Sequence, residues 1–130
     1  MRHNIALTVS SLLSIVLITF HMADDIVRGM EKGGFSSLII VPILVIWLYA
    51  TLELTERRSG YVIILLGSLL GAVVPVVHFR GTGGVAAGEI ATSSGSLFFV
   101  WTQIALGVTA VFSVILSLRA LWRLRRGQPR

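Results

Sequence analysis

Four residues near the end of the first apolar stretch, His21, Asp24, Asp25 and Arg28, carry the densest group of chemically able side chains in the chain. Their offsets of 0, 3, 4 and 7 place them on one face of a helix. Two more candidates, His78 and Arg80, end the third apolar stretch, and Glu89 follows in the next connection. Two imidazoles and up to three carboxylates suit a divalent cation such as Zn²⁺, Mn²⁺ or Fe²⁺. The expected metal ligands are His21, Asp24, Asp25 and His78, and Arg28, Arg80 and Glu89 complete a polar ligand-binding pocket. A haem held by His21 and His78 is an alternative cofactor. The plainer alternative is a set of wetted interfacial side chains, with Asp24 or Asp25 paired to Arg28 and Arg80.

Other chemistry finds less support. The chain has no cysteine, which removes disulfides, thiolate metal sites and thiol redox reactions. Ser10, Ser11, Ser14, Thr109 and Ser113 are hydroxyls far from any histidine, so a serine nucleophile has no base. Glu53 is expected to pair with Arg57 one helical turn later. The glycines between Arg80 and Ser96 lack the lysine of a phosphate-binding loop and predict a connector. No catalytic motif is present, and a non-enzymatic role is expected.

The elements that must position these residues follow from where charge is missing. Of 130 residues, 55% are hydrophobic and 13% charged, against about a quarter charged in a soluble domain; the mean hydropathy is +0.87. Four runs contain no Asp, Glu, Lys or Arg: His3 to Ala23, Gly33 to Leu52, Ser59 to Phe79 and Ile90 to Leu118. Roughly 20 residues of helix span the ~30 Å hydrocarbon core of a bilayer. The pattern predicts an all-α, integral membrane four-helix bundle forming a single transmembrane domain over residues 1–130. The helices are expected at about 5–27, 36–55, 60–79 and 97–124. The first run is read as a retained helix rather than a cleaved signal, since no small-x-small site precedes Asp24. Pro42 and Pro75 are candidate kinks.

The basic residues predict the orientation. Arg2, Arg57, Arg58, Arg119, Arg123, Arg125, Arg126 and Arg130 fall on one side, and only Arg28, Lys32 and Arg80 on the other. Short loops rich in Lys and Arg stay in the cytoplasm. An up-down-up-down bundle with cytoplasmic N- and C-termini follows, multi-pass in the cell membrane, the bacterial inner membrane foremost. The His/Asp group then faces the extracytoplasmic side. Trp101 and Trp122, 21 residues apart, match the two interfaces of one spanning helix.

The expected partners are the bilayer itself and anionic lipid at the C-terminal arginine cluster. The net charge of +5 is concentrated on one side and does not predict nucleic-acid binding. Gly67 and Gly71, Ser10 and Ser14, and Ala105, Thr109, Ser113 and Ser117 form small-residue stripes for close helix packing, within one chain or between copies. The expected function is binding of a cation, a small polar ligand or a partner at the extracytoplasmic His/Asp cluster. An accessory or structural subunit of a larger membrane complex, and an oligomeric small transporter or channel, are the alternatives.

Overall fold

The computed structural model describes residues 2–29, 34, 38–54, 56–80 and 95–127, with side chains from Ile5 onward. It is all-helical, with four helices: α1 (Arg2–Val27), α2 (Ile40–Glu53), α3 (Arg58–Arg80) and α4 (Ser96–Arg125). Three stretches, Ile5–Val27, Arg58–Arg80 and Ser96–Arg125, are long and apolar enough to cross a membrane.

Each boundary has a local cause. α1 runs through Asp24 and Asp25 and stops only at Gly29, whose φ of 72° is the left-handed turn that ends a helix. That extra turn past the uncharged run brings Asp25 beneath His21. α4 is bounded by two such glycines, Gly95 at φ 77° and Gly127 at φ 61°. Between α2 and α3 the helix breaks at Leu54, and Gly60 lies against the Leu54 carbonyl so closely that no Cβ fits.

α2 is described over 14 residues, or ~21 Å, after a 3₁₀ turn at Leu38 and Ile39; its expected start at Ser36 lies outside the described residues. Pro42 is the third residue of this helix, where backbone N–H groups have no helical partner. It therefore helps to start α2 and does not interrupt it. Pro75 lies inside α3, which continues to Arg80, and its ring packs against Gly107 of α4. The expected Glu53–Arg57 pair does not form among the described residues; α2 ends at Glu53, and both side chains are exposed.

α4 packs mainly against α1 and α3, while α2 packs against α3 and less against α1. Across the α1–α4 seam, His21 faces Gln103, Ser14 faces Thr109 and Ser10 faces Ser113, so the pairings run in opposite senses along the two helices. The Ser113 hydroxyl donates to Ser10 Oγ at 2.8 Å, and the Ser14 and Thr109 hydroxyls lie 3.1 Å apart. On the α1–α2 side, Trp47 Nε1 donates to Ser11 Oγ at 2.9 Å, and Ser11 lies 2.8 Å from Thr51 Oγ1. Gly67 receives the face of the Trp47 indole, and Gly71 receives Leu106 and Ala110. These small residues of α3 thus have partners within the chain.

The interior is no more apolar than the exterior. Among the described residues eleven hydrophobic and eleven polar or charged residues are buried, while large apolar side chains cover every helix outside. Water would not tolerate that distribution; hydrocarbon does, because packing and interhelical hydrogen bonds then hold helices together. The chain has the character of a small helical membrane protein.

Candidate metal centre

His21, Asp25 and His78 converge at one end of the helices. On α1, Asp25 follows His21 by four residues, and its Oδ2 lies 3.2 Å from His21 Nε2. His78, one turn past Pro75 on α3, brings its Nε2 to 3.4 Å from the same oxygen. The imidazoles meet edge to face, with centroids 4.5 Å apart. His21 is 1% exposed and Asp25 4%; His78 is half-buried and forms the accessible edge.

The histidine edges are fixed by their other nitrogens. His78 Nδ1 lies 2.9 Å from the Val74 carbonyl oxygen, which can only accept, so Nδ1 carries a proton and donates it. In a neutral ring, Nε2 then presents a lone pair toward Asp25. A backbone carbonyl on one ring nitrogen is the usual support for a metal-ligating histidine. For His21 the support is Gln103 of α4, fully buried, with its amide nitrogen 2.9 Å from Nδ1 and 3.2 Å from Nε2. In this orientation Gln103 donates to Nδ1, and His21 Nε2–H donates to Asp25. The Gln103 carbonyl oxygen has no hydrogen-bond partner among the described residues. Half a turn of the amide places that oxygen beside Nδ1, where it accepts a hydrogen bond from Nδ1–H and leaves Nε2 an unprotonated lone pair.

The spacing suits a cation. Zinc bonds of about 2.0–2.1 Å in tetrahedral geometry separate neighbouring donor atoms by about 3.3–3.4 Å. The two histidine–carboxylate separations of 3.2 and 3.4 Å fall at that value, and the three ligand atoms lie within 4.8 Å of one another. Two imidazoles and one carboxylate leave a further position for water or a ligand, as in open zinc and iron sites. A haem between His21 and His78 does not fit, because rings in edge-to-face contact leave no space for a macrocycle.

The remaining expected residues lie around this core. Asp24 is not one of the three converging residues and accepts a 2.7 Å hydrogen bond from Arg28 Nε. The helical face expected from sequence therefore divides, with His21 and Asp25 inward and Asp24 and Arg28 beside them. The Arg28 guanidinium lies 5.4 Å from the centre of the Phe99 ring. Phe99 is buried against both imidazoles, at 5.7 and 5.9 Å between centroids, and closes one side of the cluster. Arg80 is exposed at the end of α3. Glu89 lies outside the described residues.

Gln103 and Phe99 were not anticipated from sequence. Gln103 had a readable signal: it is the one amide side chain in the run from Ile90 to Leu118, and such a group in an apolar helix turns inward for a partner. Phe99 had none, since aromatic residues also face lipid.

No family, curated protein or solved structure matches this chain.

Proposed function

We propose that this chain is an up-down-up-down integral membrane bundle, with both termini cytoplasmic, that binds a divalent transition-metal cation on its extracytoplasmic side. His21, Asp25 and His78 are the ligands. Arg28 neutralises Asp24 at the rim, and the donor set favours zinc, with ferrous iron or manganese as harder competitors.

The observation that carries this reading is the convergence of three donor atoms among apolar helices, with His78 already oriented by the Val74 carbonyl. Ionisable residues inside membrane helices are costly, and function is the usual reason they are kept. The competing use of the same atoms is a structural clip, in which the two histidines hold Asp25 and tie α1 to α3. Metal analysis of the detergent-purified chain, with Zn²⁺ titration against a chelator of known affinity, separates the two. One ion per chain, lost in both His21→Ala and His78→Ala, supports the metal site. No saturable binding in the folded wild-type protein leaves the clip.

A second reading, an accessory subunit of a larger membrane complex, is favoured by α2. This helix and the 3₁₀ turn before it expose Leu38, Ile39, Val45, Ile46, Tyr49 and Leu52, an apolar face that a protein neighbour can cover as well as lipid. Co-purification of a stoichiometric partner would favour it, and a monomer in native mass measurements would count against it.

A further inference from the structure

At the end of the helices away from the His/Asp cluster, the start of α3 and the last turns of α4 enclose a groove of about 440 Å³. Its lining residues are Arg58, Val62, Leu118, Leu121, Trp122 and Arg125. Arg58 and Val62 lie one turn apart on α3; Leu118, Leu121, Trp122 and Arg125 have offsets of 0, 3, 4 and 7 on α4, a single face. Polarity therefore changes along the groove. The two guanidiniums stand at the helix ends, and the apolar side chains line the next turns inward. Trp122 is half exposed and carries the Arg126 guanidinium 3.9 Å above its ring. This end of the molecule holds Arg57, Arg58, Arg119, Arg123, Arg125 and Arg126 against Glu53 and Glu56.

We propose that this groove binds one anionic phospholipid, its headgroup phosphate between Arg58 and Arg125 and an acyl chain along Val62, Leu118 and Leu121. The occupant follows from the order of polarity. Guanidiniums present paired donors that fit phosphate oxygens. A free phosphate would use only the mouth and leave the apolar floor unfilled, and an apolar peptide would use only the floor. A phospholipid has the same charged-to-apolar sequence along its length, in the direction the groove imposes. An indole at that level is the usual marker of the headgroup boundary. Basic pockets between membrane helices on the cytoplasmic side are known to take anionic headgroups. The site is independent of the metal centre, which lies at the opposite helix ends.

The test is native mass spectrometry of the full chain in mild detergent with added dioleoyl phosphatidylglycerol or dioleoyl phosphatidylcholine. The wild-type chain should retain one phosphatidylglycerol in preference to phosphatidylcholine. Arg58→Gln with Arg125→Gln should weaken retention on the order of tenfold or more, since each basic contact to an anionic lipid contributes substantially. Arg119→Gln with Arg123→Gln, which removes equal charge from the same end outside the groove, should leave most of it. Leu121→Trp keeps both arginines but fills the floor, and should also displace the lipid; it decides the matter if the arginine variant does not fold. Equal losses in the two double-arginine variants would reduce the effect to diffuse surface charge and overturn the proposal. So would full competition by millimolar inorganic phosphate, or equal retention of phosphatidylcholine. Zinc binding should be unchanged in every groove variant, so failure here is distinguishable from failure of the metal site.

Discussion

Replacing Gln103 with leucine should move stability and metal affinity independently. Gln103 is fully buried and gives His21 one hydrogen bond at 2.9 Å, while its carbonyl oxygen has no partner among the described residues. Leucine has similar bulk and removes both features. The lost interhelical hydrogen bond costs ~0.6 kcal/mol on average and at most ~1.7 in membrane proteins. Removing a buried unsatisfied carbonyl returns about 1–3 kcal/mol. The balance runs from about 0.7 kcal/mol destabilising to about 2.4 stabilising, so the metal-free variant should be close to wild type or more stable. Metal affinity should fall, because His21 Nδ1–H then lacks the acceptor that frees Nε2. Loss of such a supporting group costs 10–100-fold, or about 1.4–2.7 kcal/mol. Gln103→Glu keeps an acceptor beside Nδ1 and should retain affinity. Thermal unfolding in detergent, with and without Zn²⁺, reads both quantities. An affinity equal to wild type in Gln103→Leu would refute the role given to this amide. A destabilisation well above 2 kcal/mol would show that its carbonyl has a partner in the folded protein.

Asp25→Asn should abolish or greatly weaken Zn²⁺ binding while Asp24→Asn leaves it largely intact, because only Asp25 faces both histidines; equal losses in the titration would contradict the division of the two carboxylates. Gly67→Ala should lower stability by about 1–2 kcal/mol, overpacking outweighing the gain in helix propensity. Its Cβ would lie 2.7 Å from Trp47 Cε2. Gly71→Ala should stay within about 0.5 kcal/mol, since its new methyl group would stand 3.3 Å from Ala110 Cβ and 3.4 Å from Leu106 Cδ1. Denaturation curves that rank the two glycines the other way would argue against the Trp47 packing. Single cysteines at Arg57 and Gly127 should be shielded from an impermeant thiol reagent in intact cells and one at Gly29 labelled; labelling of Arg57→Cys and Gly127→Cys on opposite sides would overturn the topology.

Much of the helical layout could be read from charge alone, because unpaired charge is excluded from long apolar helices. α1, α3 and α4 run along three of the four uncharged stretches. For α2, hydropathy continues back from Ile40 to Phe35, and the described helix begins beside Pro42; residues 35–37 lie outside the described residues. The candidate site was partly legible. The i, i+4 spacing of His21 and Asp25 states that they share a face, and the positions of both histidines near the ends of their apolar runs state that they share a depth. Which carboxylate turns inward was not legible, because Asp24 and Asp25 differ by one position and only packing against α3 and α4 decides between them. The side chain facing His21 was hidden in a run of uncharged residues, where Gln103 is separated from His21 by 82 positions.

X-ray absorption at the zinc edge, on the full chain loaded with one equivalent of Zn²⁺, tests the central claim most directly. The expected first shell contains nitrogen and oxygen at about 2.0–2.1 Å, with imidazole scattering from two histidines that falls to one in His78→Ala. A shell of oxygen alone, unchanged by that substitution, would mean that the ion sits elsewhere and that His21, Asp25 and His78 serve only to join the helices.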